Sequence, residues 1–274
     1  MIATIVDITW LRAHQEAVIV DVRWSMSGSG YDSYRQGHIP RAVFVDLDTQ
    51  LASPPTPEGG RHPLPTPVDF AQAMSELGIT NKSIVVGYDD AGGFSAGRLV
   101  WLLRSIGVDA ALLNGGLAGW DGELSSEIPQ IEPSEFEPVE WPDDLLATAD
   151  DALSAPITLD ARAAERYRGE IEPTDAEPGH IPGALSAPLW GNFADDGHHF
   201  LPAERLYERF VTLGVTDATQ VVAYCGSGVS TCHNLIAMEA AGLGRGRLYC
   251  GSWSAYSASG RPIAVGTEPG EKIK

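Results

Sequence analysis

Short apolar, β-branched runs alternate along this chain with stretches of helical spacing. In the first half the runs lie at residues 18–22, 43–45, 83–87 and 110–113, and residues 96–106 carry apolar side chains at helical spacing. Alternating strands and helices joined by short connections predict an α/β fold, in which a mainly parallel sheet is flanked by helices. Ligands of such sheets bind outside the carboxyl ends of the strands, so functional residues are expected there.

The same pattern occurs twice in the same order, which predicts a tandem duplication. The matched segments are residues 17–23 with 156–162, 37–40 with 179–182, 77–80 with 213–216, 85–89 with 221–225, and 113–115 with 249–251. Between the copies, residues 128–142 are rich in proline and acidic side chains, which resist packing into a helix or a sheet. We therefore predict a first domain over residues 1–127, an ordered linker over 128–142 and a second domain over 143–274.

Cys225 follows the apolar run 221–224 and begins the loop 226–230, and a helical pattern starts at Thr231. Glycines allow such a loop to turn its amide N–H groups inward, and the positive end of the helix dipole adds to them. A cysteine placed there can have a pKa well below the ~8.5 of a free thiol, which favours a reactive thiolate. The alternative is an ordinary buried cysteine at a strand end. The matching residue of the first copy is Asp89, which cannot carry sulfur, so the first domain is predicted to be catalytically silent.

Composition narrows the classes of function. With 18 Lys and Arg against 37 Asp and Glu, the formal net charge is -19, which argues against nucleic acid or an anionic membrane as a partner. The N-terminal residues show no basic segment followed by an apolar one, and no stretch reaches the ~20 apolar residues of a spanning helix, so the cytoplasm is the expected location. The 3 cysteines cannot form a disulfide framework and lack the paired spacing of structural zinc sites, so we expect a free thiol and no metal.

Three motifs carry a resemblance to a known family. They are Asp160-Ala-Arg162 with the following Glu165-Arg-Tyr-Arg-Gly169, then Gly179-His-Ile-Pro-Gly-Ala184, and then Cys225-Gly-Ser-Gly-Val-Ser230. Together they resemble the rhodanese-type sulfurtransferases of the tandem-domain kind, over nearly the whole chain. The last motif is close to the Cys-Gly-Ser/Thr-Gly-Val-Thr loop of the 3-mercaptopyruvate sulfurtransferases, with a serine at position 230. Thiosulfate-preferring members tend to carry Arg-Lys after the cysteine instead.

This resemblance implies the transfer of a sulfane sulfur. The thiolate of Cys225 would attack the sulfur of a small-molecule donor, keep it as a persulfide and release pyruvate or sulfite. Gly226, Gly228, Val229 and Ser230 would form the loop whose amides hold the anionic persulfide. A small thiol, a thioredoxin-like protein or cyanide would then accept the sulfur. The resembling enzymes need no metal or organic cofactor.

Arg166 matches the family's arginine for the anionic group of the donor, and a guanidinium can hold a carboxylate in bidentate fashion. The alternative is a surface ion pair with Glu165 or Glu170. The mercaptopyruvate enzymes carry a second substrate arginine shortly after the first, and residues 170–175 contain no arginine. This difference bears on which donor the chain prefers.

Ser227 matches a serine that relays a proton together with a histidine, and His38 is the matching histidine. Asp32 is the candidate acidic partner of that histidine, although its spacing departs from the family's. The alternative for His38 is structural hydrogen bonding at a turn, the role expected for His180 in the repeated Gly-His-Ile-Pro motif.

The leading hypothesis is therefore a sulfurtransferase with 3-mercaptopyruvate as donor, and thiosulfate is the alternative donor. A cysteine-based phosphatase of similar architecture would need Cys-x5-Arg, and position 231 is threonine. A non-catalytic sulfur carrier is a third hypothesis, and the presence of both Cys225 and Arg166 argues against a purely structural role.

Overall fold

The structure, a computed structural model, describes residues 1–26 and 28–271, which form two compact units. The first unit contains Met1–Ser53, Pro65–Pro142 and Phe193–Phe200. The second contains Pro54–Leu64, Asp143–Asn192 and the chain from Leu201 onward. Each unit thus includes one short segment from the opposite half of the sequence: residues 54–64 belong to the second unit and residues 193–200 to the first.

The first unit is an α/β domain with one main sheet. Its strands are β1 (Ile5–Val6), β2 (Val18–Asp21), β3 (Trp24–Ser25), β4 (Gly28–Ser29), β5 (Val43–Phe44), β6 (Ile84–Tyr88) and β7 (Asp109–Leu113). Its helices are α1 (Ile8–Ala13), α2 (Tyr31–Gln36), α3 (Leu47–Gln50), α4 (Pro67–Glu76) and α5 (Ala96–Ser105). Five strands pair in parallel in the order β1-β7-β6-β2-β5, and β3 and β4 form a short antiparallel hairpin.

The second unit repeats this architecture. Its strands are β8 (Leu146–Ala147), β9 (Ile157–Asp160), β10 (Ala184–Ser186), β11 (Val221–Tyr224) and β12 (Arg247–Tyr249). Its helices are α6 (Ala149–Ser154), α7 (Ala164–Tyr167), α8 (Ala203–Thr212), α9 (Thr231–Ala240) and α10 (Ser252–Tyr256), and short 3-10 turns lie at Asp143–Leu145, Leu189–Asn192 and Ala218–Gln220. The strands pair in parallel in the order β10-β9-β11-β12-β8.

The two sheets have the same topology, because the first sheet counted from its other edge runs β5-β2-β6-β7-β1. This confirms the predicted α/β fold with two mainly parallel sheets. In each sheet the third strand, β6 or β11, lies between two neighbours, and the side chains of β11 are fully buried. The residue that follows it, Asp89 or Cys225, lies at the carboxyl end of the sheet.

Local sequence signals account for the start of α4. Thr66 caps α4 by accepting a hydrogen bond from the Asp69 amide at 3.1 Å, and Pro67 occupies the first helical position, where no N–H is needed. Helix α9 behaves differently, because its residues from Thr231 to Met238 are all buried, polar ones included. A helix buried all round is a core element, so its N-terminus and the loop before it are fixed in place. Among the residues that the structure describes, no helix has the length and apolar character needed to cross a membrane.

Candidate active site

The loop that begins at Cys225 is held by a turn after β12. The Cys225 amide donates a hydrogen bond to Oγ of Ser252 at 3.2 Å, and the Cys225 carbonyl accepts one from the Trp253 amide at 2.9 Å. Gly228 has φ +76°, and a Cβ at this position would lie 2.5 Å from the Cys250 carbonyl oxygen, so only glycine fits. Cys225 itself is 1% exposed. The backbone around the cysteine is therefore rigid, and a donor must reach a sulfur at the bottom of the loop.

Two guanidinium groups lie over Gly226, the residue after the cysteine. A Cβ at Gly226 would lie 2.9 Å from Nη2 of Arg61 and 3.6 Å from Nη1 of Arg166. Arg61 belongs to the segment 54–64 that joins the second unit. Burial lowers the pKa of Arg61 from its usual range, and the nearby charge of Cys225 acts in the opposite direction. The loop thus has positive charge beside its cysteine although it contains no basic residue of its own.

Two almost fully buried carboxylates hold these arginines. Asp175, with 2% of its side chain exposed, accepts from Nη1 of Arg61 through one oxygen and from Nη2 of Arg166 at 3.0 Å through the other. Glu172, 3% exposed, accepts from Nη2 of Arg166 at 2.6 Å. Glu170 instead pairs with Arg168 at 2.7 Å. The ion pairs of Arg166 are therefore part of a buried cluster rather than a surface contact with a neighbouring glutamate.

Ser227 is paired with a histidine, and that histidine is His62. The distance from Nδ1 of His62 to Oγ of Ser227 is 2.8 Å. The backbone carbonyl of His62 accepts a hydrogen bond from the Cys250 thiol at 3.4 Å, and the Arg61 amide donates to Oγ of Ser254 at 3.1 Å. A serine hydroxyl bonded to an imidazole can donate a proton to a carbonyl oxygen while the ring balances its charge.

The hydrogen-bond partner of Ser227 is thus His62, whereas the sequence analysis expected His38 in this role. His38 is fully buried in the first unit, where its Nδ1 lies 2.8 Å from the Tyr34 carbonyl oxygen and its Nε2 lies 3.2 Å from that of Glu127. Asp32 is exposed on α2 of the same unit.

His180, the counterpart of His38 in the second unit, is held in the same way. Its Nδ1 lies 2.8 Å from the Tyr167 carbonyl oxygen, and its Nε2 lies 3.3 Å from that of Pro269. In both copies the ring nitrogens of the Gly-His-Ile-Pro histidine thus lie within hydrogen-bond distance of backbone carbonyls of the same unit.

Comparison with known proteins identifies the family. The sequence profile of the rhodanese-like domain matches residues 7–123 and again residues 142–259. This chain belongs to the rhodanese family. The two matches confirm the family and the tandem arrangement that the motifs predicted.

Several curated proteins are similar to this tandem rhodanese over nearly its whole length. A relative from Pseudomonas aeruginosa, provisionally named 3-mercaptopyruvate sulfurtransferase, is 41% identical over 92% of this chain and 93% of its own. The 3-mercaptopyruvate sulfurtransferase of Escherichia coli is 34% identical over 91% and 93%. A Mycobacterium tuberculosis relative, provisionally named thiosulfate sulfurtransferase SseB, is 37% identical over 94% of both chains.

Solved structures agree with this family. The 3-mercaptopyruvate sulfurtransferase of Leishmania major superposes with a TM-score of 0.83 at 32% identity, over 95% of this chain and 75% of that one. SseA of Escherichia coli, a 3-mercaptopyruvate sulfotransferase, superposes with a TM-score of 0.76 at 32% identity, over 92% and 100%.

The sequence analysis did not single out Arg61 and His62, which the structure places beside Gly226 and Ser227 of this rhodanese. A signal for them exists in the internal repeat. Residues 60–65 read Gly-Arg-His-Pro-Leu-Pro and residues 197–202 read Gly-His-His-Phe-Leu-Pro, in the same place of the two copies. The segments that belong to the opposite unit, 54–64 and 193–200, include most of these matched positions. A sixth repeat landmark would therefore have drawn attention to the histidine that contacts Ser227.

Proposed function

We propose that this rhodanese is a 3-mercaptopyruvate sulfurtransferase that carries sulfur as a persulfide on Cys225. The observation that supports this most directly is that two pairs of side chains lie around the loop of one cysteine. They are an arginine pair, Arg61 and Arg166, and a serine–histidine pair, Ser227 and His62. The donor 3-mercaptopyruvate offers a carboxylate for the first pair and a ketone oxygen for the second. Its thiol sulfur then faces Cys225.

The first half-reaction transfers the donor sulfur. The Cys225 thiolate attacks that sulfur, an S–S bond forms and the carbon–sulfur bond breaks, so the electron pair passes to the donor carbon as an enolate. Ser227 donates a hydrogen bond to the enolate oxygen, and His62 holds the hydroxyl in place. The proton of the donor thiol ends on the methyl carbon, which gives pyruvate and leaves Cys225 as an anionic persulfide.

The second half-reaction regenerates the Cys225 thiolate. An acceptor thiolate attacks the outer sulfur of the persulfide, and the S–S bond breaks with its electron pair on Cys225. The acceptor leaves with the sulfur and the thiolate is ready for another donor. We propose a small thiol or a thioredoxin-like protein as the acceptor and the cytoplasm as the location, since the acidic surface favours neither nucleic acid nor an anionic membrane.

Thiosulfate is the second candidate donor, because the Mycobacterium tuberculosis relative is named for it. It has no carbonyl oxygen that the Ser227–His62 pair could stabilise, and it is a dianion. The neutral Gly226-Ser227 sequence supplies no extra positive charge for it. These points favour the mercaptopyruvate donor.

Steady-state kinetics with the two donors, each with cyanide as acceptor, test the proposal. We expect the higher kcat/KM with 3-mercaptopyruvate. Intact-mass spectrometry after incubation with the donor alone should show one added sulfur. A higher kcat/KM with thiosulfate would assign the alternative donor, and no transfer with either would reject the sulfurtransferase function.

A further inference from the structure

The arginines over Gly226 belong to a chain of alternating charges whose carboxylates are buried, while Arg166 and Arg61 are partly exposed. Its members in order are Asp160, Arg162, Glu172, Arg166, Asp175 and Arg61. Each neighbouring pair is joined by an ion pair, with distances of 2.6 Å from Asp160 to Arg162 and 3.2 Å from Arg162 to Glu172. Three arginines and three carboxylates leave the chain with no formal net charge.

The two carboxylates near the arginine pair have different surroundings. Glu172 links Arg162 to Arg166, and its Oε1 also accepts the amides of Thr174 and Asp175 at 3.1 Å each, so it organises the turn. Asp175 instead bridges Arg61 and Arg166, the two cations that lie over Gly226. Of the two, Asp175 is the one whose charge is shared by both donor-binding cations.

This arrangement limits the negative charge that a donor can bring. A donor that binds the arginine pair adds its charge to that of Asp175 and of the Cys225 thiolate, in a place where burial weakens screening by water. A monoanion such as 3-mercaptopyruvate adds one unit, whereas thiosulfate adds two. Each extra unit of donor charge is repelled by the Asp175 carboxylate, so the repulsion is twice as large for the dianion.

We propose that Asp175 determines the donor charge that this enzyme prefers: its carboxylate, shared by Arg61 and Arg166, leaves enough positive charge for a monoanionic donor and too little for a dianionic one. The inference rests on the proposed function. It assigns specificity to a residue of the 170–175 turn, which carries a negative charge where a second substrate arginine was expected from the resemblance.

The test is Asp175→Asn, which keeps the size and one oxygen acceptor and removes the charge. We expect the ratio of kcat/KM for thiosulfate to kcat/KM for 3-mercaptopyruvate to rise about tenfold, because one unit of charge is removed a few ångströms from the donor anion. The gain should appear mainly as a lower KM for thiosulfate. Glu170→Gln is the matched control, since Glu170 is in the same turn, 55% exposed and paired with Arg168.

The outcomes separate this inference from the proposed function. An unchanged or lower ratio in a folded Asp175→Asn enzyme, or an equal rise in Glu170→Gln, would overturn the role of Asp175 while leaving the sulfurtransferase intact. If the unaltered enzyme forms no Cys225 persulfide with either donor, the function fails and the inference fails with it.

A second measurement covers the case in which Asp175→Asn does not fold. Pyruvate and sulfate, a monoanion and a dianion, are tested as competitive inhibitors of the unaltered enzyme. Pyruvate should inhibit at a several-fold lower concentration than sulfate. Equal or tighter inhibition by sulfate would overturn the proposal.

Discussion

The loops after β6 and β11 have the same position in their sheets but begin with different side chains, a carboxylate at Asp89 and a thiol at Cys225. In the first unit, Asp89 is 1% exposed, and its carboxylate accepts hydrogen bonds from four backbone amides. The donors are Ala91 at 2.9 Å and Gly93 at 2.7 Å to one oxygen, and Ser95 at 2.7 Å and Ala96 at 2.9 Å to the other. Burial raises the pKa of Asp89, and these hydrogen bonds act in the opposite direction. The loop after β6 therefore holds a carboxylate in a cradle of four backbone amides.

The comparison explains what the cradle is for in the second unit. The charged oxygens of an aspartate lie two bonds beyond Cβ, and so does the outer sulfur of a cysteine persulfide. Asp89 thus resembles the intermediate that we propose for Cys225, fixed permanently in the first loop. The second loop would hold the corresponding anion, the outer sulfur of the persulfide, only during turnover, and it adds the Arg61–Arg166 and Ser227–His62 pairs. A cradle alone holds an anion, whereas transfer needs the cations and the proton donor as well.

The largest effect is expected from Cys225→Ser, which leaves the second loop without a sulfur carrier. Turnover should fall at least ~1000-fold, and the ~32 Da gain in intact mass after incubation with the donor should disappear. Cys250→Ser is the control and should keep both, because the Cys250 thiol donates to the His62 carbonyl and a serine hydroxyl can donate the same hydrogen bond. Retained turnover in Cys225→Ser would contradict the persulfide mechanism.

Arg166→Ala removes one cation that distinguishes the second loop from the first. A charge-assisted contact is worth ~1.5–3 kcal/mol, so kcat/KM for 3-mercaptopyruvate should fall roughly 10- to 150-fold, mostly through KM. Arg168→Ala is the control, since this arginine pairs with the exposed Glu170 and should leave kcat/KM unchanged. Equal losses in the two variants would mean that Arg166 acts only through the stability of the turn.

How much of this site the sequence could predict depends on how far apart in the sequence the contacting residues are. The strand, loop and helix around Cys225 follow from local hydrophobic pattern, and so does the duplication. The Ser227–His62 contact joins residues 165 positions apart in an irregular segment, so no periodicity reports it. Segment 54–64 is positioned by close packing, since a Cβ at Gly60, with φ +73°, would lie 2.4 Å from the Gly251 carbonyl oxygen. The motif of His38 occurs twice, and in both copies its histidine contacts a backbone carbonyl, which the motif alone does not indicate.

His62→Asn tests the proton-donating pair that the second loop adds to the cradle. We expect kcat with 3-mercaptopyruvate to fall roughly 100-fold, because the hydroxyl of Ser227 loses the partner that holds it against the enolate oxygen. The loss with thiosulfate should be smaller, since that donor has no carbonyl. His38→Asn is measured beside it. A larger fall of kcat in a folded His38→Asn protein than in His62→Asn would restore the assignment first made from the motif.

The smallest effect on transfer is expected from Asp89→Asn, which tests the cradle where it does no chemistry. The carboxamide keeps one oxygen acceptor and turns an NH2 group towards amides that are themselves donors. Two buried N–H groups then lose their acceptor at about 1–3 kcal/mol each, so the free energy of unfolding should fall by about 2–6 kcal/mol. Urea unfolding followed by circular dichroism measures the change.

Asp90→Asn is the matched control, because Asp90 is the exposed neighbour. At temperatures where the variant stays folded, transfer at Cys225 should continue, since Asp89 takes no part in it. Equal stability of the two variants would show that the first loop does not depend on its anion, and the resemblance between Asp89 and a persulfide would lose its physical basis.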